Sequence, residues 1–234
     1  MFESEKRILM FDIDGTLLDP LGEGHTCIRL ALEEVFGTAG PIESYDMSGK
    51  TDWQIVTDLM GLAGLEPSQI EPRLQEAFAA YARRVAEAAP RLKMHTLPGV
   101  PTLLEQLAQD GRFLLGLLTG NVREAVPHKL GAAGLDSAIF QFGAFGSEHI
   151  DRNTLSGLAI DRAGALLGTT LFPESALVIG DTPRDVACAR YAGMKVLCVA
   201  TGGYSLGALN AHAPDFLLED LSDTESVMDI MSSY

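Results

Sequence analysis

The sequence predicts an α/β protein: a Rossmann-like open parallel sheet core with an inserted all-helical cap domain. Three observations predict it. Four short apolar runs have the composition of strands buried on both faces, and helical patterns separate the later ones in a βαβ rhythm. One long segment after the first run breaks that rhythm with helices alone.

The first run, Ile8 to Phe11, ends abruptly in Asp12-Ile13-Asp14-Gly15-Thr16. From about Pro20 to Leu97 there is no convincing strand, but there are helical patterns, including His25 to Phe36 and an alanine-rich run from Ile70 to Ala89. Pro20, Gly22 and Gly24 mark its beginning and Pro98-Gly99 its end, which divides the chain into a core of residues 1–18 and 98–234 and a cap of residues 19–97. The core resumes with a helix from Thr102 to Gln109, a strand from Phe113 to Leu118 and a helix from Arg123 to Ala133. A weaker strand, Gln141 to Phe145, precedes a helix from Leu155 to Leu167. A strand from Ala176 to Ile179, a helix from Pro183 to Ala192, a strand from Lys195 to Ala200 and a weaker strand from Asp215 to Leu218 complete the sheet. Gly111, Gly134, Gly168 and Gly193 stand just past the four helices as stop signals. The acids Glu219, Asp220, Asp223 and Glu225 read as the solvated start of a last helix.

With 234 residues, 47% of them hydrophobic, the chain can bury one good core and a smaller second one. The formal net charge of −15 disfavours a nucleic acid or an anionic membrane as partner, and an anionic substrate then needs a local positive site. Cys27, Cys188 and Cys198 are too few and too scattered for a disulfide framework or a cysteine zinc site, which suits a reducing compartment. The N-terminal Met1-Phe2-Glu3-Ser4-Glu5-Lys6-Arg7 carries acids where a secretory signal would be basic, and its apolar run is far too short to span a bilayer. The expectation is a soluble cytoplasmic protein whose oligomeric state the sequence leaves open.

Ligands of open α/β sheets bind outside the carboxyl ends of the strands. Three of the strong strands end in a polar residue beside glycine: Asp12 with Asp14-Gly15-Thr16, Thr119-Gly120-Asn121, and Gly180-Asp181-Thr182. If the strands are parallel, these ends converge. Two carboxylates so close repel each other unless a cation sits between them; such a pair can hold Mg²⁺, and one of them can attack phosphorus. Thr119, Gly120 and Asn121 offer a hydroxyl and open N–H groups at a helix entry, which suits a phosphoryl group, although Thr119 or Asn121 can equally cap that helix. Asp181 precedes the Thr182 cap position and is read as a metal ligand. Asp185, three residues past Thr182, forms a capping box or supports the metal from behind.

These motifs, Asp12-x-Asp14-Gly15-Thr16, Thr119-Gly120-Asn121 and Gly180-Asp181-x-x-x-Asp185 in this order, resemble the haloacid dehalogenase superfamily, specifically its phosphatases with a helical cap inserted after the first motif. Gly180-Asp181-Thr182-Pro183-Arg184-Asp185 and Gly202-Gly203-Tyr204 are similar to the phosphoglycolate phosphatase branch. The resemblance implies that Asp12 is the nucleophile, forming an aspartyl-phosphate, and Asp14 the general acid/base. It implies Mg²⁺ held by the Asp12 carboxylate, the Asp14 backbone carbonyl and Asp181, with Asp185 beside them, and Thr16, Gly120 and Asn121 around the substrate. Its expected substrate is a small phosphorylated metabolite, phosphoglycolate or a sugar phosphate. One position departs from the family: where a lysine is usual, the nearest equivalent is Arg152-Asn153, with Lys129 and Arg123 as lesser candidates for the cation.

Lys50, in Ser48-Gly49-Lys50-Thr51, is a candidate for a distal substrate anion, the alternative being a solvated lysine. That tetrapeptide imitates the end of a P-loop but has Ser44 where the motif needs glycine, and it follows no strand. His25, His95, His128, His149 and His212 show no metal spacing, and Trp53 is read as packing. The competing functions are a phosphomutase of the β-phosphoglucomutase type, a phosphonate hydrolase using Lys50 as Schiff-base nucleophile, a dehalogenase and a non-catalytic binding module. Asp14 argues against the dehalogenase, and the intact acid pair with Asp181 against the binding module.

Overall fold

The computed structural model describes residues 6–92 and 94–234, so residues 1–5 of the N-terminal segment weighed above lie outside the described residues. The strands are β1 (Arg7–Phe11), β2 (Leu18–Asp19), β3 (His95–Thr96), β4 (Phe113–Thr119), β5 (Phe142–Phe145), β6 (Ala176–Gly180), β7 (Lys195–Val199) and β8 (Phe216–Leu218). The helices between β2 and β3 are α1 (Glu23–Phe36), α2 (Asp52–Leu62), α3 (Pro67–Ile70) and α4 (Leu74–Ala88). Those after β3 are α5 (Val100–Gln109), α6 (Val126–Ala132), α7 (Arg152–Leu167), α8 (Pro183–Ala192), α9 (Leu206–Asn210) and α10 (Thr224–Ser233).

Six strands form one parallel sheet in the order β5-β4-β1-β6-β7-β8. The strands alternate between two apolar layers, as the period of two requires. Leu9 and Phe11, Leu115 and Leu117, Leu177 and Ile179, and Leu197 and Val199 pack on one face with α5, α6 and α10. Ile8 and Met10, Leu114 and Leu118, Ala176 and Val178, and Val196 and Cys198 pack on the other with α7 and α8. A sheet covered on both faces explains why its strands read as unbroken apolar runs. The helices between β2 and β3 bury a separate core around Leu32, Leu59, Met60, Phe78 and Val85, where Trp53 meets Phe78 edge to face.

Local chemistry sets the boundaries. Asp151 caps α7 by accepting from the Asn153 N–H, so that helix starts three residues before the expected Leu155. At α8, Thr182 and Asp185 form both halves of a capping box and Gly193 ends the helix with φ 79°. Three expectations need correction. The run from Ile70 to Ala89 is interrupted: α3 passes into a 3₁₀ turn over Glu71–Arg73 before α4 begins, because Pro72 has no N–H to continue an α ladder. The helix expected from Arg123 opens instead as a 3₁₀ turn over Arg123–Ala125, with α6 starting at Val126 so that Pro127 falls in its first turn. The helical segment is also not free of strand, since β2 and β3 pair antiparallel where the chain leaves and returns, Leu18 opposite Thr96 and Asp19 opposite His95. Among the described residues no helix is long and apolar enough to cross a membrane.

Candidate active site

Because β4, β1 and β6 are adjacent and parallel, their carboxyl ends bring Asp12, Thr119 and Asp181 to one edge of the sheet. Asp12, Asp181 and Asp185 are all buried, and each presents a carboxylate oxygen within 4.8 Å of the others. Burial is the main cause that raises the proton affinity of Asp12, which the Arg152 charge opposes and Asp185 and Asp14 reinforce. Asp181 is pushed up likewise, by burial and then by Asp185 and Asp12. A compact set of hard oxygen donors whose mutual repulsion Arg152 offsets only in part is the chemistry of a divalent cation site.

Close backbone packing fixes Asp181. A Cβ on Gly15, whose φ is 81°, would stand 2.3 Å from its Oδ2, and one on Gly202 would stand 1.7 Å away. Thr16 donates its hydroxyl to Asp181 Oδ1 at 3.1 Å, and Thr201 donates to the Gly15 carbonyl at 2.6 Å. Thr16 is thus engaged with the acid cluster itself. Asp185 accepts from the Thr182 N–H at 2.9 Å and hydroxyl at 2.7 Å, and from Arg152 at 2.5 Å, so the capping box and the site share one carboxylate.

Two cations reach the site. Arg152, at the start of α7, lies with Nη2 3.1 Å from Asp12 Oδ2 and also donates to the Gly49 carbonyl at 3.0 Å and the Leu118 carbonyl at 3.4 Å. It is 6% exposed, and the facing carboxylates Asp12 and Asp185 hold it firmly protonated against the opposing effect of burial. Lys129, from α6, instead donates to both oxygens of Asp14, at 2.6 and 2.5 Å, and to Asn121 Oδ1 at 2.6 Å. Arg123 lies elsewhere: it pairs with Glu148 at 2.7 Å and stacks on Phe145.

Thr119 Oγ1 accepts from the Asn121 amide side chain at 2.8 Å and its backbone N–H at 3.3 Å. Asn121 also donates to Asp14 Oδ2 at 2.8 Å. Thr119 and Asn121 therefore do not cap α6, which begins beyond the intervening 3₁₀ turn. Gly120 is required sterically, since a Cβ there would stand 2.0 Å from the Lys50 carbonyl oxygen.

The helical segment closes over this edge through residues 48–53. Asp52 N–H donates to the Gly120 carbonyl at 2.7 Å and Trp53 N–H to the Gly146 carbonyl at 3.2 Å. Thr51, the cap of α2, donates its hydroxyl to the Ile150 carbonyl at 2.8 Å, and Arg184 donates to the Ser48 carbonyl at 2.7 Å. The Asp52 carboxylate accepts from the Val122 N–H at 2.7 Å. Burial pushes that carboxyl up to about 7 despite the opposing charge of Lys129. The sequence gives no hint of the place of Asp52 at this seam, because an acid at the first helical position is common on solvated helices and carries no distinguishing signal.

A cleft of about 620 Å³ opens between the two parts, lined by Asp12, Asp14, Asn121, Lys129, Arg152 and Asp181 below and by His25, Tyr45, Lys50, Asp52 and Tyr81 above. Lys50 is not solvated. Its Nζ lies 3.8 Å from the centre of the Tyr45 ring and 3.7 Å from Asp58 Oδ2, and the Tyr45 hydroxyl donates to the same Asp58 oxygen. These contacts hold the Lys50 side chain against Tyr45 and Asp58 at the upper wall of the cleft.

The fold and this edge define a class. The chain belongs to the haloacid dehalogenase-like hydrolases, whose family profile matches residues 9–199. Within that family it is a phosphatase. It is 31% identical over 217 residues to the phosphoglycolate phosphatase of Synechococcus elongatus, covering 92% of this chain and 93% of that protein. It is 28% identical over 225 residues to the phosphoglycolate phosphatase of Aquifex aeolicus, covering 95% and 97%. In fold it is similar to a hydrolase from Pseudomonas syringae, with a TM-score of 0.69, 22% identity and coverage of 96% and 99%. It is also similar to CbbY from Rhodobacter sphaeroides in complex with phosphate, with a TM-score of 0.71, 17% identity and coverage of 93% and 96%.

Proposed function

We propose that the protein is a Mg²⁺-dependent phosphatase that hydrolyses a small phosphate monoester, phosphoglycolate or a sugar phosphate, through an aspartyl-phosphate on Asp12, with residues 19–97 acting as a cap domain. The observation that carries this reading is the gathering of the Asp12, Asp181 and Asp185 carboxylates within 4.8 Å at the sheet edge, with Arg152 against Asp12.

Asp12 and Asp181, with the Asp14 backbone carbonyl and Asp185 behind them, would hold the metal. When bound, Mg²⁺ supplies charge that quiets the carboxylate repulsion and neutralises the phosphoryl oxygens. Asp12 attacks phosphorus, the ester oxygen departs with a proton from Asp14, and a water that gives its proton to Asp14 then cleaves the Asp12–phosphoryl bond. Arg152 holds positive charge beside the nucleophile and the transferring group throughout. Phosphoryl transfer asks mainly for such positioning and neutralisation, and closure of the cap excludes bulk water.

Phosphate release from a panel of monoesters, with phosphoglycolate and sugar phosphates included, tests the reading. Chelation should silence the activity, Mg²⁺ should restore it, and Ca²⁺, which takes more and longer bonds, should block it. Full activity in excess chelator, or none on any ester with Mg²⁺ present, overturns it.

A further inference from the structure

Lys129 is buried, with 2% of its surface exposed, yet it does not pair with Asp12. Its Nζ has three acceptors, the two oxygens of Asp14 and Asn121 Oδ1. All three ammonium N–H groups are therefore used, and the buried charge is compensated. Asn121 turns its amide N–H groups to Asp14 Oδ2 and Thr119 Oγ1, so the Asp14 carboxylate takes donors from two side chains at once. An ion pair buried at its Lys129 end and a third exposed at its Asp14 end adds little to stability over apolar packing, whereas it fixes a carboxylate in one orientation at the floor of the cleft, which both residues line.

We propose that Lys129 is a positioning residue for Asp14, holding it, with Asn121, in the orientation from which it exchanges a proton with the leaving oxygen and then with water. This rests on the phosphatase reading above. In the first half-reaction, entered with Asp14 protonated, the bond from an Asp12 carboxylate oxygen to phosphorus forms, the ester P–O bond breaks, and the departing oxygen takes the proton from Asp14, leaving the carboxylate that Lys129 and Asn121 hold. In the second, the water oxygen bonds to phosphorus, the Asp12 O–P bond breaks, and the proton from water returns to Asp14. Lys129 forms no bond to phosphorus in either half, so its loss is felt only where a proton must move.

Phenyl phosphate and p-nitrophenyl phosphate test this, because they share a shape but phenolate needs protonation on departure far more than nitrophenolate does. Lys129→Met keeps an unbranched side chain one atom shorter and removes the charge. We expect its kcat/KM for phenyl phosphate to fall about 10- to 100-fold, within the range of a positioned acid/base, while that for p-nitrophenyl phosphate changes little. Nitrophenolate should then appear as a burst of one equivalent per enzyme, since release of the phosphoryl group from Asp12 still needs the base. Should the single variant not fold, Asp14→Asn with Lys129→Met removes both charges together, and its kcat/KM for phenyl phosphate should be no lower than that of Asp14→Asn alone. Equal losses on both esters, no loss on either, or a further fall in the double variant overturns the proposal, by making Lys129 a phosphate ligand or a bystander. A wild-type protein that hydrolyses neither these two esters nor any other monoester of the panel with Mg²⁺ overturns the phosphatase reading itself, and this proposal with it.

Discussion

Arg152 Nη2 lies 3.1 Å from Asp12 Oδ2, and both side chains are 6% exposed. A pair buried this deeply is costly to break, because removing one partner leaves the other charge without compensation.

For Asp12 itself we predict that Asp12→Asn abolishes phosphatase turnover, since the amide keeps the shape but is not an anionic nucleophile. Thermal unfolding should change little or shift slightly upward, because the acid cluster loses one repelling charge while Asp185 still compensates Arg152. Retention of more than a few per cent of wild-type activity would remove Asp12 from the nucleophile role.

For Arg152 the expected order of activity is wild type, then Arg152→Lys, then Arg152→Ala, with the alanine variant losing orders of magnitude. Alanine leaves Asp12 and Asp185 facing each other and should also cost roughly 3–5 kcal/mol of stability. Lysine retains the charge but not the fork that reaches Asp12, Asp185 and two carbonyls. Denaturant unfolding beside steady-state kinetics checks both, and near-normal activity of the alanine variant would place the essential cation elsewhere.

Asp52 predicts a pH dependence. Burial pushes its carboxyl up to about 7 in the fold, against an ordinary value of 3.8. The folded state therefore binds the proton more tightly than the unfolded state, and this residue's contribution to stability is lost as pH rises from about 4 to about 7. Asp52→Asn keeps an oxygen for the Val122 N–H and has no charge to bury. It should raise Tm at pH 8 by more than at pH 5, with a gain of one to a few kcal/mol on the order set by the shift. A gain equal at both pH values would show that burial of the charge is not the cause.

Lys50 lines the cleft from above. Lys50→Ala should raise KM for phosphoglycolate, which carries a carboxylate away from the phosphate, more than for p-nitrophenyl phosphate. Equal effects on the two would assign Lys50 to packing on Tyr45 alone.

How much of this was legible in the sequence depended on how local each signal is. Strands covered on both faces announce themselves as apolar runs, so β1, β4, β6 and β7 and the polar residues at three of their ends could be read directly. The capping box of Thr182 and Asp185 is likewise written within four residues. The pairing of cations with carboxylates was not. Arg152 and Lys129 both come from helices far along the chain from Asp12 and Asp14, and only the placement of α6 and α7 decides which acid each one meets. Proline placed the start of α6 more firmly than the apolar pattern did, because the ladder needs the N–H that Pro127 lacks. The partners of Lys50 came from its own segment and the next helix, Tyr45 and Asp58, and spacing alone did not reveal that they meet.

The seam between the two parts of the molecule has a consequence for how such an enzyme changes. Among the described residues, apart from the Asp52 carboxylate, its bonds end on main-chain carbonyls: those of Gly120, Gly146, Ile150, Ser48 and Gly49. A carbonyl is present whatever side chain its residue carries. Tyr45, His25 and Tyr81 can therefore be exchanged, and the appetite of the cleft altered, while the two halves continue to meet in the same register.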